Sequence, residues 1–266
     1  MDYSDRSHSV YIEKADGIGR LVLNRPDKFN AMSYAMWRAI PEAAKLLDTD
    51  PDVRVIVVCS SSDKAFSAGA DIKELEEFSQ DEVKREKNRV AIRQAQRILA
   101  RTEKPTIAEV PGACIGGGCG LAIHCDMRIA SSQATFGITP ARLGIVYPLN
   151  DTRQLIELVG PSAAKHILFT GRIFAAEEAL QIGLVDQVVE PDLLPDTVRD
   201  LASNMASVSQ YSVRGIKKVI RRILDGQLDD DAETAKIFTD AHNGMDAREG
   251  VAAFREKRPP NFRWNG

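Results

Sequence analysis

Along the first third of the chain, apolar and polar positions alternate in short runs and then fall into a helical period. Residues 10–14 and 18–23 are two such runs, separated by Asp16-Gly17, which predicts a hairpin. Ser33 is placed to cap a helix reaching about Leu47, with Met36, Ile40, Ala43, Ala44 and Leu47 on one face. After Pro51, residues 53–59 (VRVIVVC) are almost continuously apolar, the pattern of a strand buried on both faces. Ser61-Ser62-Asp63 predicts a turn, followed by a glycine-containing loop from Phe66 to Asp71.

Residues 81–101 predict a long charged helix, closed by Lys104-Pro105. A strand is predicted at 106–110, and Pro111-Gly112 opens the most glycine-dense stretch of the chain. Further strands are predicted at 127–130 and 134–136, helices at 152–159, 162–170 and 175–182, and a last strand at 184–189. From Leu194 onward the pattern is helical, ending in a basic, proline-containing tail at 255–260. Alternating strands and helices followed by helices alone predict an α/β core, residues 1–193, with a helical C-terminal region, 194–266.

Composition narrows the picture by exclusion. With 44% hydrophobic and 27% charged residues in 266, the chain is ordinary for a soluble globular protein. A formal net charge of -3 gives no electrostatic reason to expect a nucleic-acid or anionic-membrane partner. No apolar run approaches the roughly 18 residues of a membrane span, and the polar first residues lack the apolar core of a signal peptide, so a cytoplasmic location is expected. Cys59, Cys114, Cys119 and Cys125 form no Cys-x-x-Cys pair, and His124 beside Cys125 is not a known metal spacing. His8, His166 and His242 are scattered, so buried free thiols and no metal are expected.

The densest chemical signal is residues 112–126, GACIGGGCGLAIHCD. Gly116, Gly117 and Gly118 directly before an apolar segment predict a tight loop entering a helix, whose first N–H groups lack partners. Phosphate binding would need Lys and Ser/Thr after the last glycine, where Cys119-Gly120 stand, and no register gives the dinucleotide spacing. Oxyanion stabilisation and simple close helix packing both remain open on these residues alone.

Here the sequence resembles the enoyl-CoA hydratase/isomerase (crotonase) superfamily along nearly its whole length. The matching pieces run in order: Leu23-Asn24-Arg25-Pro26 with Asn30-Ala31-Met32, then Ala65 to Ile72, then Lys104 to Ala108. The Gly116 block with Cys125-Asp126, Ala134 to Gly137, Phe169 to Arg172 with Ala175, Glu177 and Ala179, Gly183-Leu184-Val185, and Arg248 to Phe254 complete the set. The resemblance implies a crotonase-like spiral of ββα units, with C-terminal helices building a homotrimer or a dimer of trimers. It implies an acyl-CoA thioester as substrate, no cofactor besides that coenzyme A, and an oxyanion hole made by the backbone N–H groups of Ala70 and Gly117. By the same resemblance Lys28, Ala68, Ala70, Asp71, Ile72, Phe254 and Lys257 contact coenzyme A, the last two from a neighbouring subunit. Asp71 and Asp126 match positions that recur whatever the reaction, which implies structural roles for their side chains.

One departure bears on mechanism. Family hydratases use two glutamates, and the matching positions here are Gly120 and Pro140, neither of which carries a proton. Loss of one acid–base group typically costs about 10²–10⁴ in rate, so ordinary hydration is expected to be lost unless other groups substitute. Residues 136–147 resemble the corresponding stretch of methylmalonyl-CoA decarboxylases in Thr139-Pro140, Leu143-Gly144 and Tyr147. Those enzymes carry histidine where Ala70 stands here. Tyr147 would then orient a carboxylate or protonate an enolate; the alternative is a tyrosine packed beside Pro148. Asp151 precedes a helical run, where an aspartate is a natural N-cap, and is the nearest alternative acid. Arg142 either pairs with a substrate carboxylate or is a surface charge, and Glu74 and Glu77 are expected on a solvated helix face. Decarboxylation or isomerisation is therefore favoured, with hydration by substitute residues and a non-catalytic acyl-CoA binder as the rivals.

Overall fold

The computed structural model describes residues 2–264. Strands β1 (Val10–Ala15) and β2 (Ile18–Leu23) pair antiparallel through the Asp16-Gly17 turn. Beyond that hairpin the main sheet is parallel. It adds β3 (Val55–Ser60), β5 (Thr106–Val110), β7 (Met127–Ser131) and β10 (Gln187–Val189), in the order β1-β2-β3-β5-β7-β10. Val55 to Cys59 are all buried, as expected of a strand covered on both faces.

A second sheet is built from short strands: β4 (Ala65–Ser67), β6 (Ala113–Ile115), β8 (Thr135–Gly137) and β9 (Ile173–Ala175). Three of these fall where the sequence pattern predicts a loop, a glycine turn or a helix start. Strands of three residues are too short to show a period of two, and their pairing comes entirely from neighbours distant in sequence.

Helix α1 (Tyr34–Thr49) starts where Ser33 accepts a hydrogen bond from the Met36 N–H, and it buries the predicted stripe together with Trp37. Helices α2 (Ile72–Gln80) and α3 (Glu82–Ala100) follow, each capped by an aspartate, Asp71 and Asp81. The glycine block does enter a helix, α4 (Gly117–Ala122). Helix α5 (Leu149–Thr170) merges the two helices predicted at 152–159 and 162–170, with a break at Gly160 (φ 72°) before Pro161. It starts three residues earlier than predicted, and its N-cap is Pro148. Asp151 is therefore not a cap but a buried residue of the first turn.

Helix α6 (Ala176–Gln181) leads back to β10. Helix α7 (Leu194–Ser207) then closes the far face of the main sheet, where Leu194, Val198, Ala202 and Ala206 pack with Val55, Val57 and Ile107. At about 1.5–3 kcal/mol per buried large side chain, this stripe rather than intrinsic propensity holds the helix. Helices α8 (Gln210–Leu224), α9 (Ala232–Asn243) and α10 (Met245–Glu256) complete the chain. The larger core cluster lies on the other face of the sheet and includes Trp37, Met36, Phe66, Leu99, Leu121 and Phe136. All four cysteines are buried and free.

Candidate active site

The 65–70 segment is held from below by one asparagine. Asn30, buried and with φ 52°, accepts from the Arg25 N–H at 2.6 Å, and its amide nitrogen donates to Ser60 Oγ (2.7 Å) and the Phe66 carbonyl (3.2 Å). The Ser67 hydroxyl returns a bond to the Asn30 carbonyl at 2.8 Å, and the Ala68 N–H donates to the Phe29 carbonyl. Met32 and Ala70 form an isolated parallel bridge. Gly69 then takes φ 99°, a left-handed conformation that glycine adopts without strain, and a Cβ there would lie 3.0 Å from the Ile115 carbonyl oxygen.

That contact brings the turn before Ala70 against the loop before Gly117. Gly116 has φ 53°, and a Cβ on it would touch the Gly69 Cα at 3.9 Å. Gly118 serves close approach instead, because a Cβ there would stand 2.6 Å from the Ser67 Cβ. Helix packing and exposure of backbone donors are thus both served by the same triplet. Among the described residues, neither the Ala70 nor the Gly117 N–H donates to a protein acceptor. Two such donors on adjoining, braced loops can together bind an oxyanion, a contribution of roughly 2.7–4 kcal/mol per donor where it has been tested.

Gly120 lies one turn beyond, and its absent side chain is filled from two sides. A Cβ on Gly120 would come within 3.0 Å of Gln96 Nε2 and 3.1 Å of the Tyr147 hydroxyl. Gln96 is buried on α3, and the Tyr147 hydroxyl is buried with no hydrogen-bond partner among the described residues. Burial, and then the nearby Asp151 carboxylate, hold the phenol well above its ordinary range. Pro140 opens a single 3-10 turn, Pro140–Leu143, and Gly144 (φ 68°) redirects the chain toward Tyr147.

Asp151 completes the cluster. Its side chain is 4% exposed, and its Oδ1 has no hydrogen-bond partner among the described residues. Burial pushes the carboxyl up to about 6, against a smaller opposing pull from the Gln96 amide. The imidazole of His124 stands next to it, with Nε2 3.7 Å from Oδ1. Burial drives His124 down to about 4, so the ring is neutral at ordinary pH. A carboxyl that titrates near neutrality, beside a buried phenol, can both accept and return a proton.

The other expected site residues fall into two groups. Ala68 and Ala70 are exposed at the oxyanion loop, as is Ile72 at the start of α2; Lys28 is exposed beside Phe29. The Asp71 carboxylate is engaged within the chain, capping α2 through Lys73 N–H at 3.1 Å and pairing with Arg25 at 3.0 Å. Asp126 is likewise engaged, by the Thr106 N–H at 2.7 Å and the Lys217 ammonium at 2.7 Å. Glu74 caps α1 by accepting from the Tyr34 N–H, and Glu77 pairs with Lys84. Arg142 is exposed, and its side chain lies over Gly171. Phe254 and Lys257 are exposed at the end of α10.

This arrangement has close parallels. The enoyl-CoA hydratase/isomerase family model matches residues 13–265. The chain belongs to that family. It is 37% identical to the crotonyl-CoA hydratase of Syntrophomonas wolfei subsp. wolfei over 258 residues, 96% of this chain and 97% of the relative. A crystal structure of an enoyl-CoA hydratase/isomerase family protein from Hyphomonas neptunium superposes with a TM-score of 0.94 at 40% identity, covering 97% of this chain and 99% of that one. A second, an enoyl-CoA hydratase/carnithine racemase from Magnetospirillum magneticum, gives 0.92 at 31% identity, covering 96% of each chain.

As a member of the enoyl-CoA hydratase/isomerase family, the chain is an acyl-CoA enzyme with the crotonase fold. Among the described residues, no helix is long and apolar enough to cross a membrane. Two members of the Gly120 cluster escape a reading of the sequence alone, Gln96 and His124. Gln96 sits in a highly charged helix, and its one signal is that it adjoins the buried row Ala91, Ala95 and Leu99. His124 follows Gly120 by four residues, one helical turn, and considered only as a metal ligand it passes as incidental.

Proposed function

We propose that this acyl-CoA enzyme stabilises a thioester enolate between the Ala70 and Gly117 N–H groups and moves protons with Asp151 and Tyr147. The observation that carries this reading is the buried Tyr147 hydroxyl, which with Gln96 fills the space beside Gly120, one turn from Gly117, and has the buried Asp151 carboxyl near it. Enolate formation places negative charge on the thioester oxygen, which two backbone donors without protein acceptors are suited to bind. Asp151 then serves as base toward a carbon acid and as acid toward the enolate, and Tyr147 orients the acyl group or delivers the proton.

Between the two favoured reactions, isomerisation fits better than decarboxylation. A substrate carboxylate near Asp151 would face a second anion, and Arg142, the candidate cation for it, lies over Gly171 instead. The resemblance of residues 136–147 to methylmalonyl-CoA decarboxylases stays a secondary argument beside that charge conflict. Hydration by substitute residues is the second reading, favoured by the hydratase names of the relatives. In it Asp151 and Gln96 would hold the water. A third reading, an acyl-CoA binder without turnover, leaves the raised Asp151 carboxyl without a use.

Coenzyme A is proposed to run past Lys28, Ala68 and Ile72, with Phe254 and Lys257 of a neighbouring subunit closing over it in a homotrimer or dimer of trimers. Exposed Ile216, Ile220 and Ile223 on α8 and Phe238 on α9 supply apolar surface for such packing. Light scattering on the purified chain checks the assembly.

The test of the reaction is a panel of crotonyl-, methylmalonyl- and ethylmalonyl-CoA in D₂O, followed by mass. Double-bond migration with deuterium at the α or γ carbon is the expected result. Efficient water addition to crotonyl-CoA selects hydration, loss of carbon dioxide selects decarboxylation, and binding without any change selects the non-catalytic reading.

A further inference from the structure

His124 is buried behind Asp151, and the reaction as derived so far does not use it. Its Nδ1 lies 2.6 Å from the Gly120 carbonyl oxygen. A carbonyl only accepts, so Nδ1 carries the ring hydrogen and Nε2 presents a bare lone pair. That lone pair receives the Asn150 side-chain N–H at 3.0 Å and faces Asp151 Oδ1 at 3.7 Å, too far for a hydrogen bond. Oδ1 itself has no partner among the described residues.

We infer that His124 is a positioning residue for Asp151: held by the Gly120 carbonyl, it faces the carboxyl with its Nε2 lone pair and so disfavours the ionised carboxylate. This rests on the proposed role of Asp151 and assigns a contribution to that residue's proton affinity beyond burial. An ionised Oδ1 facing a lone pair meets repulsion, whereas a protonated carboxyl can turn its hydrogen toward Nε2. Burial keeps the ring neutral, and Arg221 on α8 opposes a second proton on it, so the lone pair persists.

Charged and polar groups surround Asp151 and His124: Arg93, Arg97, Arg101 and Arg221 line one pocket with His124, Asn150 and Gln154, and other groups stand nearer the carboxyl. Tyr147 precedes α5, Gln96 lies on α3, His124 follows α4, and Arg221 on α8 acts through His124. None donates a hydrogen bond to Oδ1. Asn150 tunes the arrangement, because its N–H competes with Asp151 for the same lone pair.

The Asp151 carboxyl is followed by ¹³C NMR titration of the aspartate-labelled chain, with Asp151→Asn assigning the signal and circular dichroism checking the fold. In His124→Gln, whose side-chain amide can turn a donor toward Oδ1, the midpoint is expected to fall by about one pH unit, a tenfold loss of proton affinity. In Asn150→Ala, at an exposed position, the lone pair loses its competing donor, and the midpoint is expected to rise. Shifts of opposite sign are not the product of loosened packing. Where turnover is measurable, the acid limb of the kcat/KM profile should move with each midpoint while KM stays within about twofold. An Asp151 midpoint unmoved in both folded variants overturns the inference. The titration needs no substrate, so it stands apart from the fate of the proposed reaction.

Discussion

The Tyr147 hydroxyl lies 3.1 Å from the point that a Cβ on Gly120 would occupy. The two residues share one volume: the chain omits a side chain on α4 and fills its place with a phenol from the other side. Gly120→Ala therefore sets a methyl against both Tyr147 and Gln96. Alanine regains up to about 1 kcal/mol of helix propensity, which offsets the crowding, so stability should change little. The phenol must move by a few tenths of an ångström, and kcat is expected to fall about tenfold. Steady-state kinetics and thermal denaturation on one preparation separate the two effects.

Tyr147→Phe makes a complementary prediction. The hydroxyl is buried without a partner among the described residues, a state that costs roughly 1–3 kcal/mol, so its removal should leave the fold equally stable or more so. Turnover should fall by about 10²–10⁴ if the phenol takes part in proton transfer. A stable variant with unchanged kcat would make Tyr147 a packing residue only.

Acid–base linkage gives a signature for the buried pair. The Asp151 carboxyl is raised from 3.8 to about 6, so between those values the native state binds a proton that the unfolded chain lacks. Its contribution to stability therefore falls as pH rises through that window. His124, lowered from 6.5 to about 4, behaves oppositely, and its contribution is lost as pH falls. Each effect is at most on the order of 3 kcal/mol, and in the parent chain the two oppose each other. Asp151→Asn removes only the first. The variant should be more stable than the parent above about pH 6 and should lose stability on acidification toward about pH 4. Urea unfolding across that range checks the crossover; equal pH slopes in the two chains would contradict the burial of an ionisable Asp151.

The backbone donors can be removed singly. Ala70→Pro deletes one N–H at a position that donates to no protein acceptor, so no internal hydrogen bond is lost. Turnover is expected to drop by about 10²–10³. Retained binding of a non-reactive acyl-CoA, measured by calorimetry, would show that the loss is in catalysis.

Much of this was legible in the sequence, for identifiable reasons. The Ser33 cap, the helical period of the α1 stripe and the continuous apolar run of β3 are local signals, and these elements lie close to where the pattern puts them. The small sheet was not legible, because Ala65–Ser67 and Ile173–Ala175 are strands only through partners far along the chain. Gly69 and Gly116 could be read as backbone specialists, and both adopt positive φ. Asp151 is the informative miss. Local rules make an aspartate before a helical run a cap, yet the helix starts earlier, at Leu149, and the carboxyl turns into the core. What distinguishes an acid from a cap is burial beside Gln96, His124 and Tyr147, brought together from other elements.

In the proposed reaction Asp151 exchanges a proton with the carbon next to a thioester. It is tested most directly by incubating the enzyme with butyryl-CoA in D₂O and following the mass of the acyl chain. The account predicts deuterium at the α carbon, lost in Asp151→Asn and strongly slowed in Ala70→Pro. Exchange that continues unchanged in Asp151→Asn, or no exchange while crotonyl-CoA is rapidly hydrated, would contradict it.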